Sequence, residues 1–170
     1  MAGTTHPTLN DLPDTTRSQM VDLLNERLAD AIDLQLQSKQ AHWNVKGAQF
    51  IALHKLFDEL HDAAAEYVDL LAERAVQLGG IAEGTSASVA ERTELPQYPV
   101  NILSGEEHVW AVSNALASFG GRIRQAIDDA DELGDAATTD IFTEIARGVD
   151  KWLWFVEAHA DTATRGQSKD

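Results

Sequence analysis

The segment LGGIAEGTSASVAERTELPQYPVNILS, residues 78–104, separates two long amphipathic patterns, and its length decides how they can be joined. It opens with Gly79 and Gly80, a helix stop signal, and continues through small polar residues, Pro96 and Pro99. It closes on Ser104, with Glu107 three residues later, the spacing of a capping box that starts a new helix. SASVAER, residues 86–92, fits one short helix inside it. Neighbouring antiparallel helices need only roughly 2–8 linking residues. A connection this long carries the chain from one end of a bundle to the other.

Working outward from the crossover, residues from about 16 to 45 form the first helical pattern, and Gly47 closes it. The second starts near Gln49 and runs through Leu53, Leu56, Phe57, Leu60, Ala64, Tyr67, Leu71 and Leu78. Beyond the crossover, Val109, Val112, Leu116, Phe119, Ile123 and Ile127 mark the third. Gly120 and Gly121 lie inside it, where glycine disfavours helix by about 1 kcal/mol, so a bend or a close helix contact is expected there. The fourth starts near Asp135 and passes Ile141, Ile145, Val149, Trp152 and Phe155 to about His159. No segment reads as a strand. Two short connections and one long one describe an all-α, ferritin-like four-helix bundle over residues 16–160, with flexible tails expected at 1–15 and 161–170. Ferritin-like bundles commonly hold metal inside through Glu-x-x-His pairs; that motif is absent, so no intra-bundle di-iron site is expected.

The chain has 170 residues, 44% of them hydrophobic, enough for one domain with a real core. It contains no cysteine, which excludes disulfides, thiolate chemistry and iron–sulfur clusters and leaves nitrogen and oxygen ligands for any metal. Neither a signal-peptide pattern nor a membrane-length apolar run is present, so a soluble cytoplasmic protein is expected. With 28 acidic against 13 basic residues the net charge is −15, which repels nucleic acid and anionic membranes and gathers cations. Plain solubility accounts for the same composition.

His42 and Trp43 lie where the first helix runs out. Leu24, Leu28, Ala31, Gln35, Ser38 and His42 share one stripe that turns polar toward the histidine. By itself His42 reads as a histidine bonded to a nearby backbone group more readily than as a metal ligand. On the second helix His54, Asp58, Asp69 and Glu73 fall within about a 100° arc, nearly opposite the apolar residues. An ordinary solvated face gives the same pattern. Yet residues 54 and 73 are ~28 Å apart along a helix, too far to hold one ion within one chain. The pairs 54/73 and 58/69 share the midpoint 63.5. An antiparallel twofold pairing of this helix about that point therefore sets His54 and Asp58 against a partner's Glu73 and Asp69 and makes two identical sites. Ala63, Ala64 and Ala65 at the centre are expected to permit close approach. Histidine with carboxylates suits iron, zinc or manganese better than calcium or magnesium.

Three segments, KQAHWNVKGAQFIALHKLFDEL (39–60), AERAVQLGG (72–80) and DKWLWFVE (150–157), resemble recurrent segments of the Dps family, the miniferritins named for DNA protection during starvation. The resemblance covers most of the chain. It implies a hollow homo-dodecamer with ferroxidase sites at twofold interfaces, where Fe(II) is oxidised preferentially by hydrogen peroxide and stored as ferric mineral. The family's ligands fall on His42, His54 and Asp58 of one subunit and Asp69 and Glu73 of the other. Trp43 matches the family's tryptophan beside the site, as an electron donor to stray radicals or as simple packing. Zinc or manganese would compete with iron.

The resemblance also implies acidic threefold pores. Asp131, Asp135 and Asp140, within the acidic run from Asp128 to Asp140, are the expected lining; a solvated acidic turn fits them as well. His6, His61, His108 and His159 are read as ordinary histidines, with His61 an outside candidate for an auxiliary metal site. The competing function is DNA condensation with secondary iron chemistry. Relatives that bind DNA well resemble one another in lysine-rich tails, whereas here no lysine or arginine precedes Arg17, and Arg165 and Lys169 are offset by Asp161 and Asp170. Little or no DNA binding is expected.

Overall fold

A computed structural model describes residues 6–160. Its elements are α1 (Asp14–Asn44), α2 (Phe50–Gln77), α3 (Ser86–Arg92), α4 (Gly105–Glu132) and α5 (Ala136–Glu157). No strand occurs among the described residues, only an isolated bridge between Lys46 and Ser104. α1 packs mainly along α2 and α4 along α5, and contacts of α1 with α4 and of α2 with α5 close the bundle. The apolar stripes meet in one core that fully buries Phe57, Phe119 and Phe142 among leucines of α1, α2 and α4 and Ile145 and Val149 of α5. Each such side chain contributes roughly 1.5–3 kcal/mol.

The crossover is stapled to α1 by polar side chains, of which Asn25, Asp30 and Gln37 are buried and Asp33 partly so. Asn25 donates to Ile81 O (3.0 Å) and accepts from Glu83 N–H (2.8 Å). Asp30 accepts from Glu94 N–H (2.9 Å), Asp33 from the Thr93 hydroxyl (2.7 Å), and Gln37 donates to Pro96 O (3.1 Å). These residues satisfy a connection that has only seven helical residues of its own, α3. Gly79, with φ of +85°, ends α2 in the left-handed region that favours glycine, as the stop signal requires. The Ser104–Glu107 capping box forms as expected.

Several expectations change in detail. α1 starts at Asp14, and residues ahead of it are tied to the end of α2 through His6 N–H to Gly79 O (2.5 Å). The expected tail at 1–15 therefore holds two residues of α1, while residues 1–5 and the expected tail at 161–170 lie outside the described residues. α4 runs unbroken through its glycines; a Cβ on Gly120 would sit 3.2 Å from a Val149 methyl, so the glycine serves a close contact with α5. Of the three central alanines, Ala64 is fully buried in this bundle and Ala63 packs against the core. Turning 100° per residue, only Ala65 shares the arc of the acidic face.

Candidate metal centre

His42 sits in the last turn of α1 and His54 in the first two turns of α2, so the short link between these helices brings the two rings together. They stack with centroids 3.7 Å apart. His42 Nδ1 lies 2.7 Å from His54 O, and His54 Nδ1 lies 2.8 Å from His42 O. A carbonyl only accepts, so each Nδ1 carries a proton, and in the neutral tautomer that these bonds select the lone pair is on Nε2. Backbone bonds that fix this tautomer and aim the ring are what a metal-binding histidine needs from its surroundings. Backbone bonding and ligation, which the sequence leaves as alternatives for His42, are thus compatible on opposite sides of one ring.

Asp58, one turn beyond His54, places Oδ1 3.7 Å from His42 Nδ1. A hydrogen-bonded ion pair with Lys39 holds its carboxyl below the usual range, and slight burial opposes this. Lys39 escaped the sequence reading, although a cation one turn before His42 was its available signal. The ammonium occupies one oxygen of this carboxylate. Asp69 and Glu73 are exposed farther along α2. Among the described residues of one chain, no three of His, Asp and Glu gather closely enough to hold an ion. The structure brings the His42 and His54 rings together with the Asp58 carboxylate near His42, short of a closed ligand set, while Asp69 and Glu73 lie farther along α2. Trp43 is 66% exposed beside the histidines. His61 fixes its Nδ1 on Gln35 O (3.1 Å), His159 on Phe155 O (2.9 Å), and buried His108 meets Tyr98.

The acidic run at the α4–α5 turn divides by burial. Asp131 and Asp140 are exposed, but Asp135 is only 3% exposed. It caps α5, accepting from Thr138 N–H (3.1 Å) and the Thr138 hydroxyl (2.5 Å), and both its oxygens take Arg74 (2.9 and 3.0 Å). Burial pushes its carboxyl up, but the Thr138 and Arg74 bonds outweigh that and hold it below the usual range. The expectation that Asp135 lines a pore is corrected: it is a buried helix cap whose lone pairs are taken. No helix among the described residues is long and apolar enough to cross a membrane.

Comparison with known proteins agrees with this architecture. The ferritin-like domain model matches residues 21–165. The DNA protection during starvation protein of Agrobacterium fabrum is 48% identical over 155 residues, spanning 91% of this chain and 96% of that one. Among solved structures, DpsC from Streptomyces coelicolor superposes with a TM-score of 0.89 at 32% identity, covering 95% of each chain. Dps of Mycobacterium smegmatis gives 0.87 at 30% identity, over 93% of this chain and 96% of that one. The chain belongs to the Dps family of ferritin-like proteins.

Proposed function

We propose that this protein is a ferroxidase and iron-storage miniferritin, with its oxidation sites completed across twofold interfaces of a homo-dodecamer. The observation that carries the reading is the reciprocal locking of His42 and His54, which ties both Nδ1 atoms to backbone carbonyls and leaves both Nε2 atoms out of those bonds, with the Asp58 carboxylate 3.7 Å from His42 Nδ1. Iron is the substrate and cargo. Asp69 and Glu73 of a second subunit would supply the missing oxygen ligands, and the pairing has further support on α2. Exposed Ile51 (60%) and Val76 (54%) share the midpoint 63.5 with the ligand pairs, so the same twofold operation covers one apolar side chain with the other.

Hydrogen peroxide is the oxidant expected to be preferred. Two ferrous ions held together give up one electron each, the O–O bond breaks, and two hydroxide ions form, so no hydroxyl radical is released. Carboxylates stabilise the ferric product, and an open coordination position admits peroxide. Exposed Asp131 and Asp140 remain candidates to draw iron inward at a pore. Zinc or manganese would occupy the same ligands. DNA condensation is the second reading, favoured by the name of the Agrobacterium relative and opposed by the −15 charge.

Stopped-flow oxidation of Fe(II) by peroxide and by oxygen, alongside light scattering, tests the proposal. Faster oxidation with peroxide and an assembly of about twelve subunits are expected. A fully active monomer would falsify the shared site.

A further inference from the structure

Tyr98 belongs to the crossover and His108 to the first turn of α4, and neither has a part in the chemistry above. The Tyr98 hydroxyl lies 2.5 Å from His108 Nδ1, shorter than ordinary O–H···N contacts. Their rings are nearly parallel at 25°, with centroids 6.1 Å apart. His108 is 1% exposed, and burial lowers its pKa and keeps it neutral. Its Nε2 is sealed without a well-formed hydrogen bond, acted on by the Asn44 carbonyl at the end of α1. A neutral ring with its N–H turned toward Asn44 has a bare Nδ1, so Tyr98 is the donor. Burial also raises the phenol's pKa, so it keeps its proton at rest. Asn44 is two residues beyond His42 and adjoins Trp43.

Resting on the ferroxidase reading, we infer that Tyr98 is a redox-active phenol whose bond to His108 lets it deliver one electron to an oxidant formed at the His42 end of α1. A phenol that loses an electron becomes a strong acid and must release its proton at once. Here the acceptor is already in contact, so the O–H proton moves to Nδ1 as the electron leaves, and the Asn44 carbonyl that already faces Nε2–H stabilises the ring as it becomes positive. The step has a use when a site holds one ferrous ion, because peroxide takes two electrons. Iron supplies one and becomes ferric, Tyr98 supplies the other and becomes a neutral phenoxyl radical, His108 becomes imidazolium, and the O–O bond breaks into two hydroxide ions. Atoms and charge balance, and no hydroxyl radical escapes. A bond that only satisfied two buried polar groups would leave Tyr98 inert.

The chain has two tyrosines, Tyr67 and Tyr98, which makes assignment direct. In one arm the intact, metal-free assembly is oxidised by a photogenerated one-electron ruthenium oxidant. In the other it receives one Fe(II) per site and then peroxide, followed by freeze-quench electron paramagnetic resonance. A phenoxyl signal is expected in both arms for the wild type and for Tyr67→Phe, and at least a tenfold loss in Tyr98→Phe. His108→Gln should slow phenoxyl formation and abolish its solvent deuterium effect. No Tyr98-dependent signal in the ruthenium arm overturns the inference whatever iron does. A ruthenium-arm signal with normal iron oxidation but no phenoxyl in the iron arm overturns the link to the site. Absence of iron oxidation overturns the ferroxidase reading, and with it the role though not the redox capacity of the pair.

Discussion

His42 and His54 hold each other's backbone carbonyls, and this exchange fixes the tautomer on both rings. Asp58 and Glu73 are the carboxylates on which the proposed chemistry depends most. Changing either to alanine should slow peroxide-driven iron oxidation by about tenfold or more, the scale of losing a tuned metal contact, and leave assembly largely intact by light scattering. Wild-type rates in both variants would move the chemistry elsewhere. Lys39 acts on the same carboxylate as a competitor, because its ammonium must leave Asp58 before a metal can use that oxygen. Lys39→Met should therefore tighten zinc binding several-fold in calorimetry, and unchanged affinity would mean that the ion pair breaks without cost.

At the scale of elements, buried ionic groups position the α4–α5 turn and the crossover. Arg74 of α2 holds Asp135, so the cap of α5 is also a tie between two helices. Asp135→Ala removes the cap and leaves a nearly buried guanidinium unpaired, which should destabilise by about 3 kcal/mol. A loss below about 1 kcal/mol in chemical denaturation would show that the turn relaxes around the gap. Asp30 behaves in the opposite sense. Burial raises its carboxyl from 3.8 to about 6 against the pull of Arg27 and Arg122, with Asp33 adding to the rise. The folded state therefore holds this proton more tightly than the unfolded one. The resulting penalty is absent below about pH 4, grows as pH rises to about 6 and is constant above. Relative to Asp30→Asn, wild-type stability should fall across that window in denaturation at several pH values; a flat difference would contradict it.

For the whole molecule the controlling quantity is charge. Twelve copies of a −15 chain in one shell would repel a duplex beyond the reach of a few tail cations. Plasmid mobility should be unchanged by micromolar protein at neutral pH in chelator-treated buffer. Retardation there would promote DNA condensation to a primary function. The exposed Ile51, Val76 and Trp43 belong to the same scale, since a lone subunit leaves them in water.

Four long helices, their order and the crossover were legible in the sequence, because periodic apolar stripes, Gly79–Gly80 and the Ser104–Glu107 cap are local signals. The capping residues and the short helix SASVAER fell where those signals put them. Helical spacing also grouped His54, Asp58, Asp69 and Glu73 on one arc, since residues on one helix have fixed angular relations. Tertiary packing decided what spacing cannot encode. It put Lys39 of α1 on Asp58 of α2, stacked His42 on His54, and turned Ala64 into the core. It also separated Asp135 from exposed Asp131 and Asp140, because the partner that buries it, Arg74, is 61 residues away in the chain. Which of several like charges is solvated depends on what the fold brings against each, and that is a property of the packed chain, not of the run of acids that contains them.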